Sequence, residues 1–413
     1  MAARQGLSLG SCLTCSCLLA LEATQSAFAQ ADLGPAPAPL SILVSEQVSR
    51  DDNLYRVPSG LDLGTIVGPN VSRADVISHT AISTVGNWAL GNQSAAIAAE
   101  LDGNRFAHNS GLDNISGRGS LDWLWQLGHA LSGRVGADYS RTLQSFVNTR
   151  FLGRDLFTTT GYSGDARVDV APEWSVRAQV RHADTAHENP ARNVDDFSSN
   201  AGTVSITYEN PLGDTVAASY RRTEARFPYL VLVDGLPFDR DYGENAATFD
   251  TTYVLSAKTT VKASAGFLRR EYLHSLTGNF SGGIWNASID WSALRTLRLT
   301  AASWRDLRAY IDSQSDHFVS RAESITSQWL PNSALTVALA FSFERQTYLG
   351  QQSSEILAPQ REDRVKAGEA TITYTSVRNF FASLAYRVER RASTTAYFSY
   401  VDNLAQARVG MRF

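Results

Sequence analysis

The chain has 413 residues and a formal net charge of −4, so it lacks the basic excess by which nucleic-acid binders hold their partner. Only 19% of residues are charged, mean hydropathy is −0.19, and after the first 30 positions no run of about 18 apolar residues occurs, which excludes a membrane protein built of helices. All three cysteines, Cys12, Cys15 and Cys17, lie near the N-terminus, so a disulfide-stapled scaffold is excluded as well.

The N-terminus reads as an export signal. Arg4 supplies the positive start, Leu7 to Leu21 the apolar centre, and Ala27-Phe28-Ala29 a small-x-small cleavage site. Leu9-Gly-Ser-Cys12 has almost no apolar run before it, which argues against a lipoprotein processing box. The expected division is therefore a signal peptide at 1–29, a Pro-rich periplasmic lead-in at 30–40 and one β-domain at 41–413.

From about residue 41 one unit repeats: an alternating run ending in an aromatic, a short turn, and a second alternating run. The turns fall at Leu90-Gly-Asn92, Leu127-Gly-His129, Ala171-Pro-Glu173, Asn210–Asp214, Ser256-Ala-Lys258, Ser292-Ala-Leu294, Pro331-Asn-Ser333 and Ser376–Asn379. They recur about every 40 residues, the spacing of one hairpin plus one outer loop. Apolar residues sit at i, i+2, i+4, as in Leu131, Gly133, Val135, Ala137 and Tyr139, or Leu335, Val337, Leu339, Phe341 and Phe343. That is the period of a strand between an apolar and a polar medium, and not of a helix.

Trp125, Trp174, Tyr208, Trp291, Trp329, Tyr374 and Phe380 stand beside the short turns on the apolar face. A membrane–water boundary selects such rings, because the body is apolar and the edge can hydrogen-bond. Longer polar connections lie at 51–73, 107–113, 146–155, 186–193, 228–241, 272–277, 308–316, 347–361 and 393–402. Eight short turns and nine long loops give about eighteen strands. Sixteen is the alternative, since 41–49 and 393–402 carry the weakest pattern. Closure is physically required in hydrocarbon, where an open sheet edge would leave backbone groups unpaired.

The chain closes on Asn403-Leu-Ala-Gln-Ala-Arg-Val-Gly-Met-Arg-Phe413, whose alternate residues Phe413, Met411, Val409, Ala407 and Ala405 are apolar. A terminal strand ending on an aromatic resembles the last strand of bacterial outer-membrane barrels. There it seals against the first strand and is read by the insertion machinery, a role that would fall here to Phe413. Ser49-Arg-Asp-Asp-Asn-Leu-Tyr-Arg56 and Tyr400-Val-Asp-Asn403 further resemble the opening and closing motifs of the β-barrel porin type 2 family, and within it EpsL-type proteins associated with exopolysaccharide. The resemblance implies a single transmembrane antiparallel β-barrel in a Gram-negative outer membrane. Its partners would be membrane lipid, lipopolysaccharide, the barrel-insertion machinery and, in the narrower reading, a polysaccharide. No site residue carries over. Asp51-Asp52-Asn53 reads most simply as an outer turn whose side chains bond their own backbone.

Chemistry is sparse. His182 and His187, the nearest histidine pair, have a spacing that puts them on opposite strand faces, with no cluster of further ligands; no metal or cofactor is expected. His129 with Ser132 lacks a third group, so no enzyme is expected. The inward set says more: Arg134, Asp138, Arg177, Arg181, Arg221, Lys262, Arg298 and Arg387 are the expected pore-lining charges, amid many Ser and Thr. Arg177, Arg181 and Arg221 form a mildly cationic stripe on nearby strands, of a kind that favours anionic solutes. The expectation is a channel for hydrophilic solutes or an exported polysaccharide. The alternative is a non-conducting scaffold or adhesin whose charge pairs fill the lumen.

Overall fold

A computed structural model describes residues 40–413 apart from 234–235, 274–278, 313–314, 350–359 and 377–378. The expected signal peptide, and the lead-in up to residue 39, lie outside the described residues. Strand β1 (Leu40–Asp51) opens the chain, followed by β2 (Asp75–Leu90), β3 (Gln93–Phe106), β4 (Asn114–Leu127), β5 (Leu131–Leu143), β6 (Leu156–Ala171), β7 (Trp174–His187), β8 (Phe197–Glu209) and β9 (Thr215–Arg226). A small hairpin, β10 (Val231–Val233) and β11 (Leu236–Phe238), lies outside the wall sheet. The second half runs β12 (Tyr242–Ser256), β13 (Thr259–Tyr272), β14 (Phe280–Leu294), β15 (Leu297–Asp312), β16 (Ser315–Trp329), β17 (Leu335–Leu349), β18 (Glu362–Thr375), β19 (Phe380–Ser393) and β20 (Tyr400–Arg412).

Consecutive wall strands pair antiparallel, β9 pairs with β12, and β1 closes on β20 from Leu43↔Arg412 to Asp51↔Leu404. The result is a closed barrel of 18 strands. Phe413 extends the seam, exchanging backbone hydrogen bonds with Ile42 at 2.8 and 3.1 Å. The stretch at 308–316, expected as a loop, is mostly strand, because β15 and β16 stay paired through Ala309↔His317 and Asp312↔Ser315.

Antiparallel pairing makes each alternating run add to the same face as its neighbour. Ile115, Phe341 and Leu384, on the outer face, are 67%, 61% and 63% exposed. In water such a continuous apolar exterior would be costly at roughly 25 cal/mol per Å². A bilayer removes that cost. The turn-side aromatics point the same way: Trp174, Trp291, Trp329, Tyr374 and Phe380 are exposed, Trp125 and Tyr208 half-buried, and the Trp174 and Tyr208 rings lie 5.1 Å apart. One of the two-residue turns joins Leu90 to Gln93 through Gly91-Asn92, with Gly91 at φ +67. A positive φ at the first central position alone matches the turn type whose twist suits a hairpin, and glycine adopts it without strain.

Candidate functional site: the lumen and its outer mouth

Lumen-facing positions follow from register. Paired residues Arg134, Asp165 and Gln179 share the inner face, as do Asp138, Gly161 and Ala183. Arg134 lies 3.6 Å from Asp122 and 3.7 Å from Asp165, and Arg177 lies 3.6 Å from the same Asp165. One level further out, Arg181 donates twice to Asp138, at 2.8 and 2.9 Å. This bridge passes over β6 at Gly161, where a Cβ would come within 2.6 Å of both Asp138 oxygens and of Arg181 Nη2. Glycine leaves that path open, and a larger residue would push the two side-chain ends aside.

The rest of the wall is paired in the same manner. Glu100 meets Arg118 at 2.7 Å, His79 meets Asp102 at 3.3 Å, and Arg408 donates to Ser45 at 2.9 Å. Across the barrel Glu244 accepts from Arg270 at 2.6 and 3.0 Å and from Arg221 at 3.3 Å. Arg387 bonds Glu389, which also accepts from Tyr400 at 2.5 Å. Lys262 and Arg298 differ: both are exposed near the short-turn end, without an ion pair among the described residues. Each arginine of the Arg177, Arg181 and Arg221 stripe thus meets an acid, Asp165 being shared with Arg134 and Glu244 with Arg270. A cavity of about 600 Å³ lies within the wall formed by β1–β8 and β18–β20, bordered by Arg118, Asp138, Arg181, Glu369, Arg387 and Arg408.

The outer mouth is narrowed in two ways that reading the chain as strands and loops did not anticipate. First, the 144–155 connection between β5 and β6 reaches across to β19. Arg391, 1% exposed, donates from Nη1 to Val147 O at 2.6 Å and to Asn148 Oδ1 at 2.9 Å. Its Nε and Nη2 bond Asp363, Tyr348 Oη at 2.7 Å and Gln346 Oε1 at 3.1 Å. A fixed fork of five N–H donors suits this many-sided grip. Phe146 and Leu152 of the same loop pack into an apolar cluster with Tyr55, Val57, Leu63, Phe106 and Leu112. Burial pushes the Tyr55 hydroxyl up to about 12, with Asp75 adding to the effect.

Second, the β15–β16 hairpin leaves the wall. Arg305↔Trp285 is the outermost pairing of β15 with β14, yet β15 and β16 continue together. Leu307 and Val319 pack against Ala246 and Leu268, which face the lumen. The His317 ring lies 6.5 Å from Tyr272 and 5.7 Å from Phe280, both also on the inner face. The hairpin therefore lies inside the wall of β13 and β14.

The two end motifs come together as one seam. Asp52 accepts from Asn403 N at 2.7 Å and Nδ2 at 2.6 Å, and Asn53 Nδ2 donates to Val401 O at 2.9 Å. Arg56, at φ +54, bonds Asp51 at 3.0 Å and Asp402 at 2.9 Å. Asn53 N also donates to Asp51 Oδ1 at 2.8 Å, the local turn bond. Carboxylate oxygens of Asp51, Asp52 and Asp402 gather within 4.8 Å, but the Arg56 guanidinium already supplies the cation to two of them.

On the loops, Asp195 accepts from Arg240 at 3.2 Å and pairs with Arg192 at 2.9 Å; burial raises its carboxyl above the ordinary value against both cations. His182 faces outward beside Tyr162 and His187 is buried on the opposite face. His129 sits exposed in the β4–β5 turn, with no hydrogen bond to Ser132 among the described residues.

A closed tube with an apolar exterior, a charge-paired interior and turn-side aromatics defines an outer-membrane β-barrel of Gram-negative type. The family model described as "Putative beta-barrel porin 2" matches residues 226–413, from the last residue of β9 to the C-terminus, and supports the porin family. No curated protein matches the chain in sequence. Among solved structures, the chain is similar to OccK9 (OpdG) of Pseudomonas aeruginosa, with TM-score 0.50, 12% identity, and coverage of 91% of this chain and 98% of that one. It is equally similar to OccK2 (OpdF) of the same organism in complex with glucuronate, with TM-score 0.50, 8% identity and coverage of 91% and 98%. At these identities the likeness speaks to the fold alone.

Proposed function

We propose that the protein is an outer-membrane channel for hydrophilic solutes, with Arg134, Asp138, Arg177, Arg181, Arg221, Lys262, Arg298 and Arg387 lining its path. The carrying observation is the cavity of about 600 Å³, where charged and hydroxyl side chains such as Arg118, Asp138, Arg181, Glu369 and Thr371 share the lining with apolar ones such as Phe157, Phe197 and Phe381. A barrel of this strand number encloses water and not a packed core. Balanced charges give a solute or polymer many weak contacts and no deep trap. Passage of an exported polysaccharide is the narrower reading, supported by the EpsL-like end motifs. Glucuronate, present in the OccK2 complex, is a suitable first small solute to try.

A second reading is a non-conducting scaffold, favoured by the 144–155 connection held across the mouth by Arg391. Purified protein in planar bilayers separates the two. Stepwise single-channel currents support the channel, and a folded barrel that stays silent even after removal of 145–154 supports the scaffold.

A further inference from the structure

The outward face of β15–β19 carries an unusual row of cations. Register places Arg305 opposite Arg321, Arg321 opposite Arg345, and Arg345 opposite Arg364; Arg305 turns its guanidinium over the Phe280 and Trp285 rings, so the outward row is that of Arg321, Arg345 and Arg364 on three neighbouring strands. One residue pair nearer the membrane centre, Lys366 stands opposite Arg390. Like charges directly opposite one another destabilise a sheet. Among the described residues only Glu362 answers the row directly, at 2.7 Å from Arg345 and 3.4 Å from Arg364. Arg321, Lys366 and Arg390 are exposed and have no ion pair among the described residues.

Elsewhere around the outer end the pattern differs. Outward Arg141, Arg222 and Arg269 each have their own acid, Glu188, Glu224 and Glu271. Arg50, Arg105 and Arg226 also point outward without an ion pair among the described residues, but each faces an uncharged residue; the cations that oppose one another in register are those of β15–β19. The height of the row is also defined. Arg345 lies ten residues beyond Leu335, which at about 3.4 Å per residue and about 40° of tilt puts it roughly 26 Å above the short-turn end. That matches the outer edge of an apolar band about 25 Å tall. With strands about 4.8 Å apart, the side chains of Arg321, Arg345 and Arg364 span about 10 Å, room for two phosphate groups.

We infer that this face is a binding site for a phosphorylated glycolipid of the outer leaflet. Its acyl chains would lie on the apolar strand faces below, at Ile325, Phe341 and Ile372, while its phosphates meet the guanidinium row. Arginine suits the task because its planar fork matches phosphate oxygens two at a time. Phe343 lies between the two, at the depth of the sugar–acyl junction.

The test uses the barrel in detergent, titrated with bisphosphorylated lipid A and with the same lipid stripped of phosphate, and read by native mass spectrometry. The bisphosphorylated form is expected to bind about tenfold more tightly, and R321Q/R345Q/R364Q to lose that advantage. R222Q, on another face, is expected to keep it. Should the triple variant fail to fold, K366Q/R390Q carries the same comparison, and the two lipid forms on wild type decide independently. Equal binding of both forms overturns the inference, as does an unaltered preference in the variants. Displacement of lipid A by inorganic phosphate at equal concentration overturns it too, since the row would then read free anion and not lipid.

Discussion

Arg391 and Val147, separated in the wall by β20 and β1–β4, are joined by a 2.6 Å hydrogen bond from guanidinium to backbone carbonyl. The bond ties a loop between β5 and β6 to β19 across the outer mouth. Arg391→Met is expected to release the loop and raise single-channel conductance. It also leaves Asp363 buried beside Arg361 alone, so the barrel should lose about 3–5 kcal/mol of stability. Conductance with a heat-modifiability assay checks both, and a destabilised barrel of unchanged conductance would show that the loop does not narrow the path.

Arg177, Arg181 and Arg221 each neutralise an acid, at 3.6 Å to Asp165, 2.8 Å to Asp138 and 3.3 Å to Glu244. Replacing all three with Ser strips cations and leaves the carboxylates, so selectivity should move toward cations. Reversal potentials across a salt gradient measure this. Unchanged potentials would place the ion path elsewhere.

Gly161→Val should break the Arg181–Asp138 bridge, because the new Cβ falls within 2.6 Å of both partners. Both partners are flexible side-chain ends that can swing aside into the lumen, so the loss should stay below about 1 kcal/mol, that of the bridge itself. Gly164→Val, whose Cβ meets nothing nearer than 3.9 Å, is the matched control and should be close to neutral.

Glu188 links the β7–β8 loop to Arg141 at 2.8 Å and Arg154 at 3.3 Å, and the Arg141 hydrogen bond holds its carboxyl below the ordinary 4.5. A depressed acid stabilises the fold fully above its unfolded value, and that stabilisation is lost as pH falls through the lower folded value. The site is exposed, so the effect should stay below about 1 kcal/mol. Thermal midpoints of wild type and Glu188→Gln should differ slightly at pH 7 and converge in acid. A gap that persists in acid would mean that the substitution disturbs packing instead of charge.

The barrel was legible because alternation survives in every wall strand, so the fold needed little beyond counting turns. The mouth was not. Phe146, Val147 and Leu152 are too few to show a period, and their apolar character inside a polar connection was the one available sign that it folds inward. The β15–β16 hairpin was hidden for another reason: Leu307 and Val319 continue the outward alternation, and only the departure of β14 after Arg305 turns that face onto an inner wall. Charge pairing was equally opaque, since Arg181 and Asp138 lie on strands that do not pair directly. The two end motifs were visible as separate words, and their meeting through Arg56 and Asp402 is a product of closure.

Hydrocarbon wets the outer face of the wall and water the inner one. The cysteines are confined to positions 12, 15 and 17, so single cysteines can be placed along β17 from Leu335 to Glu344 in a barrel produced from residue 30 onward and reconstituted in liposomes. The account predicts strict alternation: cysteines at 336, 338, 340, 342 and 344 react with a water-soluble thiol reagent, while those at 335, 337, 339, 341 and 343 resist it, and probes there are quenched by brominated lipid. Uniform labelling along β17, or labelling that follows a helical period, would contradict it.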